Sequence, residues 1–284
     1  MLDSDLKNTL ARVDSHQHFW RRDRGDYDWL TADLAPIYHD FLPKDLRPKL
    51  AAANIAKTIL VQAAPTEQET NFLLMLADET DYVAGVVGWI DMMNEAPIER
   101  LRSLARHSKF KGIRPMIQDI ADTNWILNPK FSPIFETMIE LDTSFDALVK
   151  PHHLGALLEL LLRHPNLKVV IDHGAKPEIA KGHFQEWAKS ISLIASDTQA
   201  YCKLSGLVTE AGENSDFNVL KPYMGHLLDC FGAERLMWGS DWPILNLTTS
   251  YRDWHKSCES YLSQLTAEEQ NCIWSKTATD FYRL

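Results

Sequence analysis

Eight short apolar runs alternate with longer amphipathic segments along this chain, and that rhythm restricts the folds open to it more than any other feature. The runs are Val13–Phe19, Lys57–Ala63, Val83–Asp91, Gly112–Ile117, Ser144–Val149, Lys168–His173, Ala200–Ser205 and Leu236–Ser240. Each has the length of a strand and little polar alternation, as expected for strands covered on both faces. Between them the pattern changes to a helical period. Glu67–Thr80 follows Pro65-Thr66, a helix entry, and Ala96–His107 carries Pro97 near its first turn. Lys130–Leu141, Leu154–Arg163, His183–Ser196, Asp216–Phe231 and Ser250–Leu265 continue the series, and Ala267–Thr277 closes it. In the fourth of these segments Leu154, Leu157, Leu158, Leu161 and Leu162 form one apolar stripe. Eight strands alternating with helices predict an α/β fold, a closed (β/α)8 TIM barrel. An open doubly wound sheet is the alternative, but the first strand is followed by no glycine-rich phosphate turn.

A length of 284 residues suits one such barrel. With no linker, repeat or low-complexity stretch, residues 1–284 read as a single domain. The segment after the first strand, about residues 20–50, reads as an unusually long β1–α1 loop rich in aromatic and charged residues. The formal net charge is -10 and no basic cluster occurs, so nucleic acid and anionic membranes are poor partners. Met1–Lys7 carries acids where a secretory signal needs bases, and the longest apolar stretch, Leu154 to Leu162, is too short to span a bilayer. The four cysteines, Cys202, Cys230, Cys258 and Cys272, show no CxxC spacing and read as free thiols. A soluble cytoplasmic protein acting on a small molecule is the expectation, with a homodimer left open.

In a barrel, chemistry gathers at the C-terminal ends of the strands. The ends here supply His16 and His18, Gln62, Trp89 and Asp91, Arg114 and Gln118, Asp172 and His173, Lys203 and Ser205, and Ser240 and Asp241. His16 and His18 stand two apart, so in a strand both face the same side. That geometry suits chelating a metal or gripping a carbonyl oxygen. Asp241 ends the last apolar run just before Trp242-Pro243. Singly, these residues also read as caps or satisfied core groups. Together they place histidines, cations and an acid around one mouth, a set that a purely structural barrel has no need to desolvate.

Those residues carry a resemblance. The His16-Gln17-His18 end of strand 1, Val170-Ile171-Asp172-His173-Gly174 and Gly239-Ser240-Asp241-Trp242-Pro243 resemble the amidohydrolase superfamily, of the amidohydrolase 2 type. Asp28-Trp29-Leu30, Val87–Asp91, Lys111–Arg114, Lys203–Ala211 and Phe281-Tyr282 are similar to its sugar-lactonase branch, the L-fuconolactonase and L-rhamnonolactonase-like proteins. The resemblance implies a barrel hydrolase that opens a sugar-derived lactone. Asp241 would be the general base, with His16, His18 and His173 on the carbonyl side. Arg114, Lys203 and Trp89 would hold substrate hydroxyls or a carboxylate, and Trp20, Tyr27 and Trp29 would stack on the sugar face.

Metal-dependent members carry a bridging carboxylated lysine or a glutamate near strand 4, or a histidine ending strand 5. Here strand 4 offers Arg114 followed by Pro115, strand 5 runs Phe145–Val149, and His152 and His153 come only after Pro151. The implied cofactor is therefore none, or one divalent metal, zinc, weakly held by His16, His18 and Asp241. Three rivals stay open at this stage. They are a metal-dependent amide hydrolase or decarboxylase on the same barrel, a catalytically silent sugar-acid binding protein, and an aldolase-type barrel using Lys203 as a Schiff base.

Overall fold

The computed structural model describes residues 11–212 and 216–284. The acidic start of the chain, Met1–Lys7, lies outside the described residues. Eight parallel strands pair in sequence order: β1 (Arg12–Gln17), β2 (Ile55–Val61), β3 (Val83–Gly88), β4 (Phe110–Ile113), β5 (Ser144–Ala147), β6 (Val169–Ile171), β7 (Tyr201–Leu204) and β8 (Leu236–Trp238). The ring closes just beyond the last strand. His18 N–H donates to Trp242 O over 2.7 Å, and Asp241 N–H donates to His16 O over 2.8 Å. With helices between the strands, this is the (β/α)8 barrel that the alternation of runs predicts.

Strand faces alternate as a barrel requires. Val13, Ile59, Val61, Val87, Val170 and Met237 form the interior cluster, while Leu60, Val86, Ile171 and Trp238 pack outward into the larger core beneath the helices. The last helix, Thr277–Tyr282, adds Ala278, Phe281 and Tyr282 to the interior cluster. The helical stretch expected over Ala267–Thr277 therefore runs on to Tyr282, with one π turn at Cys272–Lys276.

The segment expected as a long first loop needs correcting. Its second part is a helix, α1 (Pro43–Ala53), entered through Pro43 with Asp45 accepting from Leu42 N–H at 2.9 Å, and ended by Asn54 at φ 56. Pro48 lies inside this helix and breaks the helical pattern in the sequence. Among the described residues, no helix is long and apolar enough to cross a membrane.

Candidate active site

Strand β1 and the residue just after it deliver His16 and His18 to the mouth of the barrel, and the loops after β6 and β8 deliver His173 and Asp241. Both of the latter sit in left-handed backbone, at φ 54 and φ 59. His173 opens a run of positive φ through Gly174, Ala175 and Lys176. Left-handed conformation is costly for residues with a Cβ, and it persists where packing over-determines it, commonly at functional sites.

Four acceptor-capable side chains converge there. His16 Nε2 lies 3.2 Å from His18 Nε2, and Asp241 Oδ1 lies 3.3 Å from His18 Nε2, 3.7 Å from His16 Nε2 and 3.8 Å from His173 Nε2. Two outer contacts orient the rings. His18 Nδ1 meets the Val61 carbonyl at 2.8 Å, and His173 Nδ1 meets Ser205 Oγ at 2.8 Å. A carbonyl only accepts, so His18 carries its proton on Nδ1 and turns a bare Nε2 toward Asp241.

Burial and neighbouring charge set the protonation of the cluster. Burial lowers all three histidines: His173 to about 4, His18 below its usual range, and His16 well below it with Lys203 adding to the effect. Burial pushes the Asp241 carboxyl up, but His173, His18 and His16 more than offset it, and the group stays below the usual carboxylate range. At neutral pH the site is a carboxylate facing three neutral imidazoles.

The donor set fits a divalent metal. Atoms about 2.0–2.1 Å from a tetrahedral zinc stand roughly 3.3 Å apart. The His16, His18 and Asp241 atoms are separated by 3.2, 3.3 and 3.7 Å. The Val61 carbonyl on His18 Nδ1 is the kind of outer contact that fixes a ligating histidine. His16, Asp172 and His173 form a second, overlapping group of close donor atoms.

A cavity of about 310 Å³ opens over this cluster, lined in part by His18, His173, Asp241, Arg114 and Lys176. Trp29 also lines it, held by an Nε1–H donated to Ala63 O over 2.7 Å. The rest of the wall is mixed, with Gln118 and Asp119 beside Leu34, Ile37, Met116, Leu148, Ile244 and Leu247. The sequence does not single out these apolar residues: Leu34, Ile37, Ile244 and Leu247 lie outside the apolar runs, Met116 and Leu148 lie inside them, and none has chemistry of its own to flag it.

Several expected contacts with substrate lie elsewhere. Lys203 is fully buried beneath the cavity, 2.6 Å from Asp146 Oδ2, 3.0 Å from Asp172 Oδ1 and 3.1 Å from His16 Nδ1. An ammonium locked between two carboxylates offers no free amine to a substrate carbonyl, which removes the basis for a Schiff-base aldolase. Trp20 is fully buried, donates Nε1–H to His39 O, and packs edge-on against Trp29 and Phe41. Trp20 therefore buttresses Trp29 rather than facing the cavity. Tyr27 is buried in the same aromatic group, with its ring centroid 6.4 Å from that of Trp20. Trp89 is off the wall too, its backbone N–H and C=O both engaged by the Thr70 hydroxyl. His16 is likewise one layer below the surface of the cavity.

Sequence reasoning missed Asp146 as a partner for Lys203, since Asp146 lies inside β5 and not at its end. Asp146 also accepts from Tyr282 Oη–H at 2.6 Å and from Ser144 Oγ–H at 2.9 Å. Burial raises Asp146, whereas Lys203, His16 and Arg114 hold Asp172 well below its usual range against burial. Arg114 is tied to this layer as well. It donates through Nη1 to Asp172 Oδ2 at 3.3 Å and through Nη2 to the Gln62 carbonyl, and Gln62 Nε2–H returns a bond of 2.6 Å to Arg114 O.

Comparison with known proteins agrees with this geometry. The amidohydrolase family model, of the amidohydrolase 2 type, matches residues 13–284. An L-fucono-1,5-lactonase of Burkholderia ambifaria is 44% identical over 278 residues, covering 96% of each chain. An L-fucono-1,5-lactonase of Burkholderia multivorans is 35% identical over 285 residues, again covering 96% of each. The crystal structure of an amidohydrolase from Burkholderia multivorans with bound zinc superposes with a TM-score of 0.92 at 35% identity, covering 97% of this chain and 100% of that one. With a family match across nearly its whole length and the His-x-His, His and Asp set assembled at the barrel mouth, the chain belongs to the amidohydrolase family.

Proposed function

We propose that this protein hydrolyses a sugar-derived lactone, an aldonolactone of the type of L-fuconolactone or L-rhamnonolactone. The observation that carries the reading is the Asp241 carboxyl, 3.3 Å from His18 Nε2 and 3.8 Å from His173 Nε2, on the wall of a cavity that also presents Arg114, Lys176 and the Trp29 ring. The two full-length relatives named for L-fucono-1,5-lactone support the substrate class. Asp241 takes a proton from a water lying against the lactone carbonyl, a task worth about 10²–10⁴-fold in rate. The carbonyl oxygen becomes an oxyanion beside Arg114 and His173, where preorganised donors typically contribute roughly 3–4 kcal/mol. Protonated Asp241 then returns its proton to the ring oxygen as the ester bond breaks. Trp29 packs on the sugar face, and Gln118, Asp119 and Lys176 are in place for its hydroxyls.

His16, His18 and Asp241 would hold a zinc ion, which when bound supplies Lewis-acid polarisation of the carbonyl. We read that metal as weakly held, because Arg114 Nη1 stands 3.3 Å from His16 Nε2 and Lys203 Nζ stands 3.1 Å from His16 Nδ1. Two cations beside one ligand oppose a third.

The test is a pH-indicator assay on a panel of aldonolactones, run with and without chelator. Turnover of at least one sugar lactone, lost in Asp241→Asn, supports the reading. No turnover on any member of the panel, with or without added zinc, overturns it.

A further inference from the structure

The Trp29 ring on the cavity wall is set there from behind. Its Nε1–H donates to Ala63 O over 2.7 Å, and Ala63 itself lines the cavity. Ala63 and Ala64 belong to the turn between β2 and helix α2 (Glu67–Asp78). One side chain grips the main chain of that turn: Glu69, fully buried in the first turn of α2.

Thr66-Glu67-Gln68-Glu69 has the Thr-x-x-Glu spelling of a capping box, in which the glutamate reaches back to the N–H of the threonine. Half of the box forms, with Thr66 Oγ1 accepting from Glu69 N–H at 3.1 Å. The other half does not, because Thr66 N–H donates to Ala64 O at 2.9 Å. The Glu69 carboxyl reaches further back instead. Ala63 N–H stands 3.0 Å from both of its oxygens, and Ala64 N–H donates to Oε2 at 2.8 Å. Burial pushes this carboxyl up to about 8, against the pull of the two main-chain N–H groups and the Tyr27 hydroxyl. In either charge state it keeps oxygens that accept. A carboxyl taken out of water costs more than the capping box it forgoes, so its place calls for a reason beyond the helix.

The same helix end docks the loop that carries Trp29. Thr66 Oγ1–H donates to Asp26 Oδ2 at 3.0 Å, and Arg24 pairs with that carboxylate at 2.7 Å. The Arg24 guanidinium lies 4.4 Å from the centre of the Phe72 ring. One helix terminus thus holds both partners of the indole bond, the turn through Glu69 and the loop through Asp26.

We propose that Glu69 is a positioning residue that, through the main chain of Ala63, sets the Trp29 ring on the cavity wall and so controls how tightly the substrate ring is held. It lies behind the wall and acts through Trp29, not on the reacting atoms. Removing its oxygens leaves the N–H groups of Ala63 and Ala64 without acceptors in a buried turn, and the turn must shift to satisfy them. The Ala63 carbonyl then moves off the indole. The inference rests on the proposed function only for the identity of the ring that Trp29 meets.

The first measurement follows indole N–H exchange by ¹⁵N NMR in the full-length protein labelled at tryptophan. Trp29→Phe assigns the signal. The indoles of Trp187 and Trp254, bonded to Gly174 O at 2.7 Å and to Gly239 O at 3.0 Å, serve as controls. In Glu69→Met the Trp29 indole is expected to exchange at least about fivefold faster, with both controls unchanged. Unchanged Trp29 exchange, or an equal rise in all three, overturns the proposal. The second measurement is steady-state kinetics on an aldonolactone. Glu69→Met is expected to raise KM at least about fivefold with kcat within about twofold. In a Trp29→Leu background the same change is expected to leave KM where it is. An unchanged KM in the wild-type background, or equal rises in both, overturns the proposal. Should Glu69→Met not fold, Glu69→Gln, which keeps one acceptor oxygen, is measured in its place against the same criteria. A chain that opens no aldonolactone refutes the proposed function, and the exchange result then decides this inference alone.

Discussion

The backbone N–H of Asp241 donates to the carbonyl of His16 over 2.8 Å, joining the acid after the last strand to the histidine inside the first. Asp14 reinforces the seam, its Oδ1 accepting from Ser240 N–H at 2.8 Å and from His16 N–H at 3.2 Å. Closure of the barrel and assembly of the site are therefore one event. Asp241 and the histidine pair are set relative to one another by main-chain bonds, not by mobile side chains.

If Asp241 is the general base, Asp241→Asn keeps the main-chain bond to His16 and the shape of the side chain but loses the proton acceptor. It should fold normally and lower kcat by at least about 10²-fold. Steady-state kinetics beside a melting curve checks this; near-wild-type turnover with unchanged Tm rules the assignment out.

Substrate preference follows from the cavity wall. Of its polar residues Arg114 is buried and Gln118 half-buried, while Asp119 is exposed and Lys176 pairs with Glu210 at 3.5 Å, so a simple ring ester loses about 1–3 kcal/mol for each Arg114 or Gln118 group that it leaves unpaired. A site built for hydroxyls rejects analogues that lack them. Aldonolactones of five- or six-carbon sugars should have kcat/KM well above that of γ-butyrolactone or δ-valerolactone. Equal efficiency on the two sets would show that the wall does not read hydroxyls.

Gly206 lies at φ +64, and a Cβ there would stand 2.5 Å from His173 Nδ1. Gly206→Ala therefore combines unfavourable backbone with a push on the ring that Ser205 holds. Stability should fall by about 1–3 kcal/mol, and kcat/KM by at least about tenfold as His173 moves off Asp241. Wild-type kinetics in this variant would remove His173 from the reaction.

The buried histidines couple stability to pH. His173 is lowered to about 4 in the fold, against about 6.5 in an unfolded chain. Between those values the unfolded chain takes up a proton that the folded state refuses. This contribution is full above pH 6.5 and is lost as pH falls toward 4, by up to about 3 kcal/mol. In metal-free protein, Tm should drop between pH 7 and pH 4.5, and His173→Asn should make that drop shallower. Parallel curves for the two proteins would contradict the assignment.

Much of this molecule is decided by local pattern. The alternation of eight apolar runs with helical segments specifies the barrel, since strands covered on both faces and helices with one apolar stripe pack stably in few ways. The two-residue spacing of His16 and His18, and the placing of His173 and Asp241 just after strand ends, make those four residues readable as one cluster before any coordinates. Local pattern fails where a residue's neighbours come from distant strands. Lys203, Trp20 and Trp89 look like surface contacts for a substrate because their types suit one. The strand pleat turns Lys203 inward onto Asp146 and Asp172, and packing seats Trp20 behind Trp29. Helix Pro43–Ala53 is hidden in the sequence by Pro48, and packing of Leu46 and Leu50 into the core holds it nonetheless. The sequence by itself determined the barrel and the identity of the converging acid and histidines. Only the tertiary structure decided which cations reach the cavity and which are buried against carboxylates, because pairing a buried charge depends on side chains brought together from strands far apart in the chain.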